Sequence, residues 1–304
     1  MEKNRKGMIF GSFMGDALAL GPHWVYNTHV IDKKFGRVQQ YLDPLTSYHA
    51  GKKKGDFTHY GDQMLMLLEF LATAAGFDPK RFGEAWKFFF NDYEGYRDKA
   101  TLTTLQNMTE GKGLADSGSS SDDLGGAARI APILYAYAHE PESAIQAARQ
   151  QTALTHHNPA VLDAAEFFTQ LAVGALAGEK PSAVISALLK DRFQSTEIAN
   201  ALTLGLASRD EDTRTAIETF GQMCSVAAAL PGTIHLIVKY ENDFKEALVE
   251  NVMAGGDSAA RGMLAGMVLG ARAGIDDLPR NWLETLNARS RIDKLLAVID
   301  SKQL

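Results

Sequence analysis

Residues 251 to 274 read NVMAGGDSAARGMLAGMVLGARAG: two glycines and one carboxylate stand directly ahead of a small-residue helix with almost no charge. A helix without a polar face has to be surrounded by others. Its glycines and alanines let a neighbouring backbone approach closely. The stretch GDQMLMLLEFLATAAG, bounded by Gly61 and Gly76, is also apolar nearly all round and demands the same central position. Two central helices are therefore expected, beginning near Gln63 and Ser258, with their N-termini aimed at one cleft.

The rest of the chain repeats the helical period. In FGEAWKFFFNDYEGY, Phe82, Ala85, Trp86, Phe89, Tyr93 and Tyr96 fall at steps of three and four, and residues 159 to 177 do the same with Val161, Leu162, Ala165, Phe168, Leu171, Ala172 and Ala175. No alternating run is long enough for a strand, so the fold class is all-α. Breaks at 36–62, 109–126 and 155–160 are rich in Gly, Ser, Asp or Pro, yet none is long or polar enough to separate domains. Residues 1–304 are read as one domain. A chain of this length can bury roughly 75% of its unfolded surface in a single core.

Charge and cysteine use exclude several classes. With 31 Lys+Arg against 37 Asp+Glu, the net charge is −6. That balance offers no counterion-release footprint for nucleic acid and no polybasic patch for a membrane. Cys224 is the one cysteine, and MEKNRKGMIFGSFMGD has no apolar signal core, so a cytoplasmic location is expected. No apolar run reaches the ~18 residues of a membrane span. The oligomeric state is not legible.

Carboxylates concentrate in the breaks: Asp16, Asp56, Asp62, Asp122, Asp123 and Asp257. Acids at several helix starts can build a hard-cation site or a pocket for ribose hydroxyls. They can equally be N-caps, and SSSDD also reads as a capping box. The same two-way reading applies to His59, a proton-transfer group or a structural histidine, and to Trp24 and Tyr60, adenine-stacking rings or core aromatics. Arg129 could grip a pyrophosphate, but an internal pair with Asp122 or Asp123 is favoured. The adjacent His156 and His157 suit a helix terminus better than zinc.

The ordered blocks GSFMGDALALGPHWVYN, THYGDQM, SSSDDLGGAARIAPILY and CSVAAALPGTIHLIVKYENDFKEALVENVMAGGDSAARGMLAGMVLGARAG, followed by LPRNWLETL, resemble the ADP-ribosylglycohydrolase family over nearly the whole chain. The wording of ALGPHWVYN, YGDQ and SSSDDLGGAARIAP looks more like a divergent branch of that family, similar to the J-type crystallins. The resemblance implies a single compact orthogonal helical bundle that cleaves a glycosidic bond at the ribose of an ADP-ribosyl or related nucleoside substrate. It also implies a pair of Mg²⁺ ions on loop carboxylates and threonines. At the corresponding positions, however, this chain has Tyr60 and Gly61 in one motif and Ala259 and Ala260 in the other, so most ligand positions are lost and no metal ligand is assigned. A glutamate that the family carries shortly after its Pro is also missing, since His23 and Trp24 follow Pro22.

On this footing Asp62 and Asp257 are expected to be catalytic and to lie close together. Asp16, Trp24, His59, Tyr60, Ser120, Ser121, Asp122, Asp123, Gly255, Gly256 and Ser258 are expected to line the site for a small ADP-ribose-like ligand. Two other functions fit the same residues: a catalytically degenerate nucleotide binder, and a structural crystallin-like protein.

Overall fold

In the computed structural model, which describes residues 2–302, the helix Glu2–Ala19 lies antiparallel against the helix Ser258–Ala273. The contact is backbone to backbone. A Cβ added to Gly7, Gly11 or Gly15 would stand 2.3, 2.2 or 2.1 Å from the carbonyl oxygen of Gly270, Gly266 or Gly262 respectively. Three glycines at steps of four form one bare stripe on each helix. The close approach read from the small residues is therefore present. The partner is the first helix, which the sequence reading had not singled out, and the helix from Ser258 is buried as far as Ala271.

The helix His59–Thr73 is the other expected central element, and twelve of its residues are buried. It starts ahead of Gln63 because the Thr58 hydroxyl accepts from the Tyr60 N–H and opens the helix there. The helix Pro159–Leu176 matches its periodic stretch. The aromatic helix is shorter than its pattern, Pro79–Phe89, and Asn91, Asp92 and Gly95 carry the chain into a loop that holds Tyr93 and Tyr96. The described residues are all-α, with three isolated bridges and no strand. None of their helices is long and apolar enough to cross a membrane.

Capping accounts for many of the loop acids. Asp78, Asp98, Asp212 and Asp243 each accept the N–H three residues on, at the starts of four helices. The antiparallel glycine contact brings the C-terminal end of the first helix beside the N-terminal end of the Ser258 helix. The chain then turns through Gly21 and Pro22 and is stitched to that end by Trp24 N–H to Gly256 O and Gly256 N–H to Val25 O, both 2.9 Å. Gly255 and Gly256 have φ of 70° and 69°, and a Cβ on them would meet Val25 O at 2.6 Å and Gln222 O at 2.3 Å.

Candidate active site

Asp257 occupies the N-cap position of the Ser258 helix but makes no capping hydrogen bond. Its carboxylate is fully buried. Oδ2 accepts from the Trp24 indole N–H at 3.3 Å and from the Tyr60 hydroxyl at 3.2 Å, while Oδ1 has no hydrogen-bond partner and lies 3.9 Å from His23 Nδ1. The same Tyr60 hydroxyl reaches Asp123 Oδ2 at 3.1 Å, and Asp123 Oδ1 accepts from the Gly125 N–H at 2.8 Å. A phenol has one proton. Both contacts are made together when one of the carboxyls carries a proton of its own.

The electrostatics favour that shared proton. Burial, followed by the charge of Asp257, pushes Asp123 up to about 7. Burial also raises Asp257, against the opposing pull of Arg261 and His59. Tyr60, buried beside both, is held well above the ordinary phenol range. Two carboxyls forced together in a dry site titrate as a pair. The Cys224 sulfur completes the cluster: ligand atoms of Asp123, Cys224 and Asp257 lie within 4.8 Å of one another. Burial and then Asp123 raise its thiol, so it stays protonated.

Local structure explains which acids arrive here. Asp123 comes in on an extended segment docked on the start of the helix Val226–Lys239, with Leu124 N–H to Cys224 O and Val226 N–H to Asp122 O, each 2.8 Å. Side chains alternate along such a segment. Ser121 and Asp123 are partly buried, whereas Ser120 and Asp122 face solvent, away from the expected site.

Asp62 is not brought to Asp257. Successive helical residues turn by about 100°, so Asp62 points roughly opposite to Tyr60. It is clamped by Lys52 Nζ at 2.6 Å and the Tyr93 hydroxyl at 2.6 Å, and shares no hydrogen-bond partner with Asp257.

Asp16 is likewise occupied: Oδ2 takes the Thr58 N–H at 2.7 Å and Oδ1 the Thr58 hydroxyl at 2.6 Å. It fastens the first helix to the start of the His59 helix and requires Gly61, whose added Cβ would lie 2.3 Å from Oδ2. Burial lifts its pKa to about 6.

The other expected residues are placed as follows. Gly255 and Gly256 leave no room for a ligand, because Val25 and Gln222 fill the space a side chain would take. Ser258 is buried, with its hydroxyl unpartnered. Tyr60 is 1% exposed and cannot stack on an adenine. His59 is fully buried, its Nδ1 3.3 Å from His49 Nε2 and its Nε2 3.4 Å from Asp98 Oδ2. Arg129 bonds Gln63 and Thr155 rather than Asp122 or Asp123. Trp24 is partly exposed and lies against the buried Asp257 carboxylate through its indole N–H. It stacks on His23 at 4.4 Å and meets Tyr48 and Tyr96 edge-on. Among the described residues it is the one non-glycine with positive φ, 61°, a strained conformation of the kind found at functional sites. The exposed rings near it are Tyr26 and Tyr48.

The donor set does not suit a pair of Mg²⁺ ions, which keep octahedral oxygen shells. Asp16 and Asp62 are saturated by protein donors, Ala259 and Ala260 offer only methyl groups, and the third group beside Asp123 and Asp257 is a thiol. The partners that sequence reasoning missed are Cys224, Lys52, Tyr93, Asp98 and His49. Lys52 and His49 fall in a loop without periodicity, which left no pattern to read.

Comparison with known proteins adds four findings. The ADP-ribosylglycohydrolase family model matches residues 2–303. Crystallin J1A of Tripedalia cystophora is 24% identical over 94% of this chain and 93% of its own, and the ADP-ribosyl-[dinitrogen reductase] glycohydrolase of Rhodospirillum rubrum is 36% identical over 81 residues, covering 24% of this chain and 28% of its own. A solved structure titled "ADP-ribosylglycohydrolase-related protein complex" shares the fold with a TM-score of 0.72 at 23% identity, covering 99% of this chain and 98% of that one.

Proposed function

The chain belongs to the ADP-ribosylglycohydrolase family, and from that premise we propose that it is a hydrolase cleaving the glycosidic bond at the ribose of an ADP-ribosyl or related nucleoside substrate, with Asp123 and Asp257 as its proton-handling pair. The observation that carries this reading is the single Tyr60 hydroxyl held between two carboxyls, the buried Asp257 and the partly buried Asp123. Glycosidic hydrolysis needs one carboxyl to protonate the leaving group and one to activate water or attack the sugar. Asp123, lifted to about 7, keeps its proton in a large share of molecules at neutral pH and can donate it. Asp257, with Oδ1 free of hydrogen bonds, takes the base role toward water or a ribose hydroxyl.

Tyr60 relays the proton between the pair and keeps both carboxyls oriented. Trp24 covers them, so substrate entry requires its indole to swing away from Asp257 while the exposed Tyr26 and Tyr48 receive the nucleobase. Asp62, neutralised by Lys52, stays outside the chemistry. The reading has no binuclear magnesium centre, on the donor chemistry given above. The whole chain acts as one helical domain that works on a small-molecule ligand.

Titration calorimetry with ADP-ribose tests occupancy of the site. Wild type is expected to bind, and the bulky substitution Cys224→Trp beside the carboxyl pair to abolish binding while the far-UV spectrum is kept. Absence of heat with wild type at millimolar ADP-ribose would remove the reading. A crystallin-like structural role, favoured by the complete burial of Asp257 under Trp24, predicts that silent result.

A further inference from the structure

Beside the carboxyl pair lie three buried imidazoles that the proposed chemistry does not use. His23 arrives on the turn after the first helix, His49 on the loop before the His59 helix, and His59 on its first turn. They are 0%, 2% and 0% exposed. One ring nitrogen from each lies within 4.8 Å of those of the other two. Their six nitrogens make a single mutual hydrogen bond, between His49 Nε2 and His59 Nδ1; both nitrogens of His23 together with His49 Nδ1 have no hydrogen-bond partner, and His59 Nε2 has only a long contact with Asp98 Oδ2 at 3.4 Å. Buried polar atoms are almost always satisfied, and such a concentration of exceptions needs a cause.

We propose that His23, His49 and His59 bind one divalent transition-metal ion of the zinc class through their ring nitrogens. The 3.3 Å separation of His49 Nε2 and His59 Nδ1 matches the edge of a tetrahedron whose metal–nitrogen bonds are about 2.0–2.1 Å. Ligating histidines present their other nitrogen to an outer acceptor, commonly a carboxylate. His59 Nε2 has Asp98 Oδ2 at 3.4 Å as such an acceptor, whereas His23 Nδ1 stands 3.9 Å from Asp257 Oδ1, beyond hydrogen-bond reach. Three imidazoles select zinc, cobalt, nickel or copper over magnesium. The cluster lies one ring below the surface, beneath Trp24 and the half-exposed Tyr48, which gives an ion its entry. The bound ion ties three chain segments together. This site stands whether or not the carboxyl pair is catalytic.

The probe is cobalt, whose visible absorption is intense in tetrahedral nitrogen coordination and faint in water. Purified full-length protein, stripped with chelator and given one equivalent of Co²⁺, is expected to show the intense bands, lose them on adding equimolar zinc, and keep them in excess magnesium. His49→Gln is expected to lose the bands. Asp98→Asn, which retains the helix cap, is expected to keep them while zinc affinity falls about 10–100-fold. Wild-type protein showing only the faint spectrum of aqueous cobalt overturns the proposal, whatever the fate of the variants. Bands that persist in a folded His49→Gln protein overturn it too.

Discussion

The phenol oxygen of Tyr60 lies 3.2 Å from Asp257 Oδ2, although these residues come from opposite ends of the chain, and the same oxygen reaches Asp123. Tyr60→Phe removes this proton link without changing the shape of the core. Turnover is expected to fall roughly 10²-fold, within the range for a positioned proton-transfer group, with the melting temperature little changed. Single-turnover kinetics and thermal denaturation of the purified variant check both halves.

Asp257 occupies a capping position without capping, so its substitution separates two roles. Losing a genuine N-cap to Ala costs about 0.5–2 kcal/mol. Since no cap bond exists here to lose, Asp257→Asn and Asp257→Ala are expected to show no such capping pattern, in which Ala destabilises and Asn restores. Urea denaturation of the pair decides: an Ala variant clearly less stable than a wild-type-like Asn variant would reinstate the cap.

Asp123 makes stability depend on pH. Its folded value of about 7 exceeds the ordinary carboxyl value of 3.8. The native state therefore binds more protons than the unfolded chain between about pH 4 and 7, and stability falls as pH rises through that window. Asp123→Asn is expected to flatten the dependence and to raise stability above pH 7 by at least about 1 kcal/mol, since each pKa unit between the states corresponds to about 1.4 kcal/mol. Denaturation at pH 5 and pH 8 measures the slope; equal slopes for wild type and variant contradict the account.

The antiparallel glycine stripe leaves no space for a methyl group. Gly11→Ala is expected to destabilise by about 1–3 kcal/mol or more, because the clashing atom is the Gly266 carbonyl and a whole helix has to move. Denaturant titration reads the change, and a neutral result would contradict the packing.

Magnesium is expected to bind weakly or not at all at the carboxyl pair. Titration with Mg²⁺ should leave the melting temperature unmoved. Two octahedral ions side by side in a magnesium-soaked crystal contradict the donor argument.

The helices and their central pair were legible because periodicity and small-residue content depend only on local order. The site was partly legible. The motif carrying Asp257 was correctly placed at a helix start, and Asp123 was among the expected residues. Asp62 and Asp257 were not joined, because the direction of a side chain at a helix start depends on the first helical residue, and Thr58 sets it earlier than Gln63. Gly255 and Gly256 suggested ligand space, yet the backbone crossing that fills it comes from Val25 and Gln222, far away in sequence. The histidine cluster gathers a turn, a loop and a helix start, and only the fold brings those together.

The central claim is tested most directly by the release of ADP-ribose from a panel of N- and O-linked ADP-ribosyl glycosides, measured for wild type, Asp123→Asn and Asp257→Asn. The account predicts release by wild type on at least one linkage, declining as pH rises through about 7, and a loss of about 10²-fold or more in both folded variants. Wild-type release no faster than buffer on every linkage, or Asn variants as active as wild type, contradicts it.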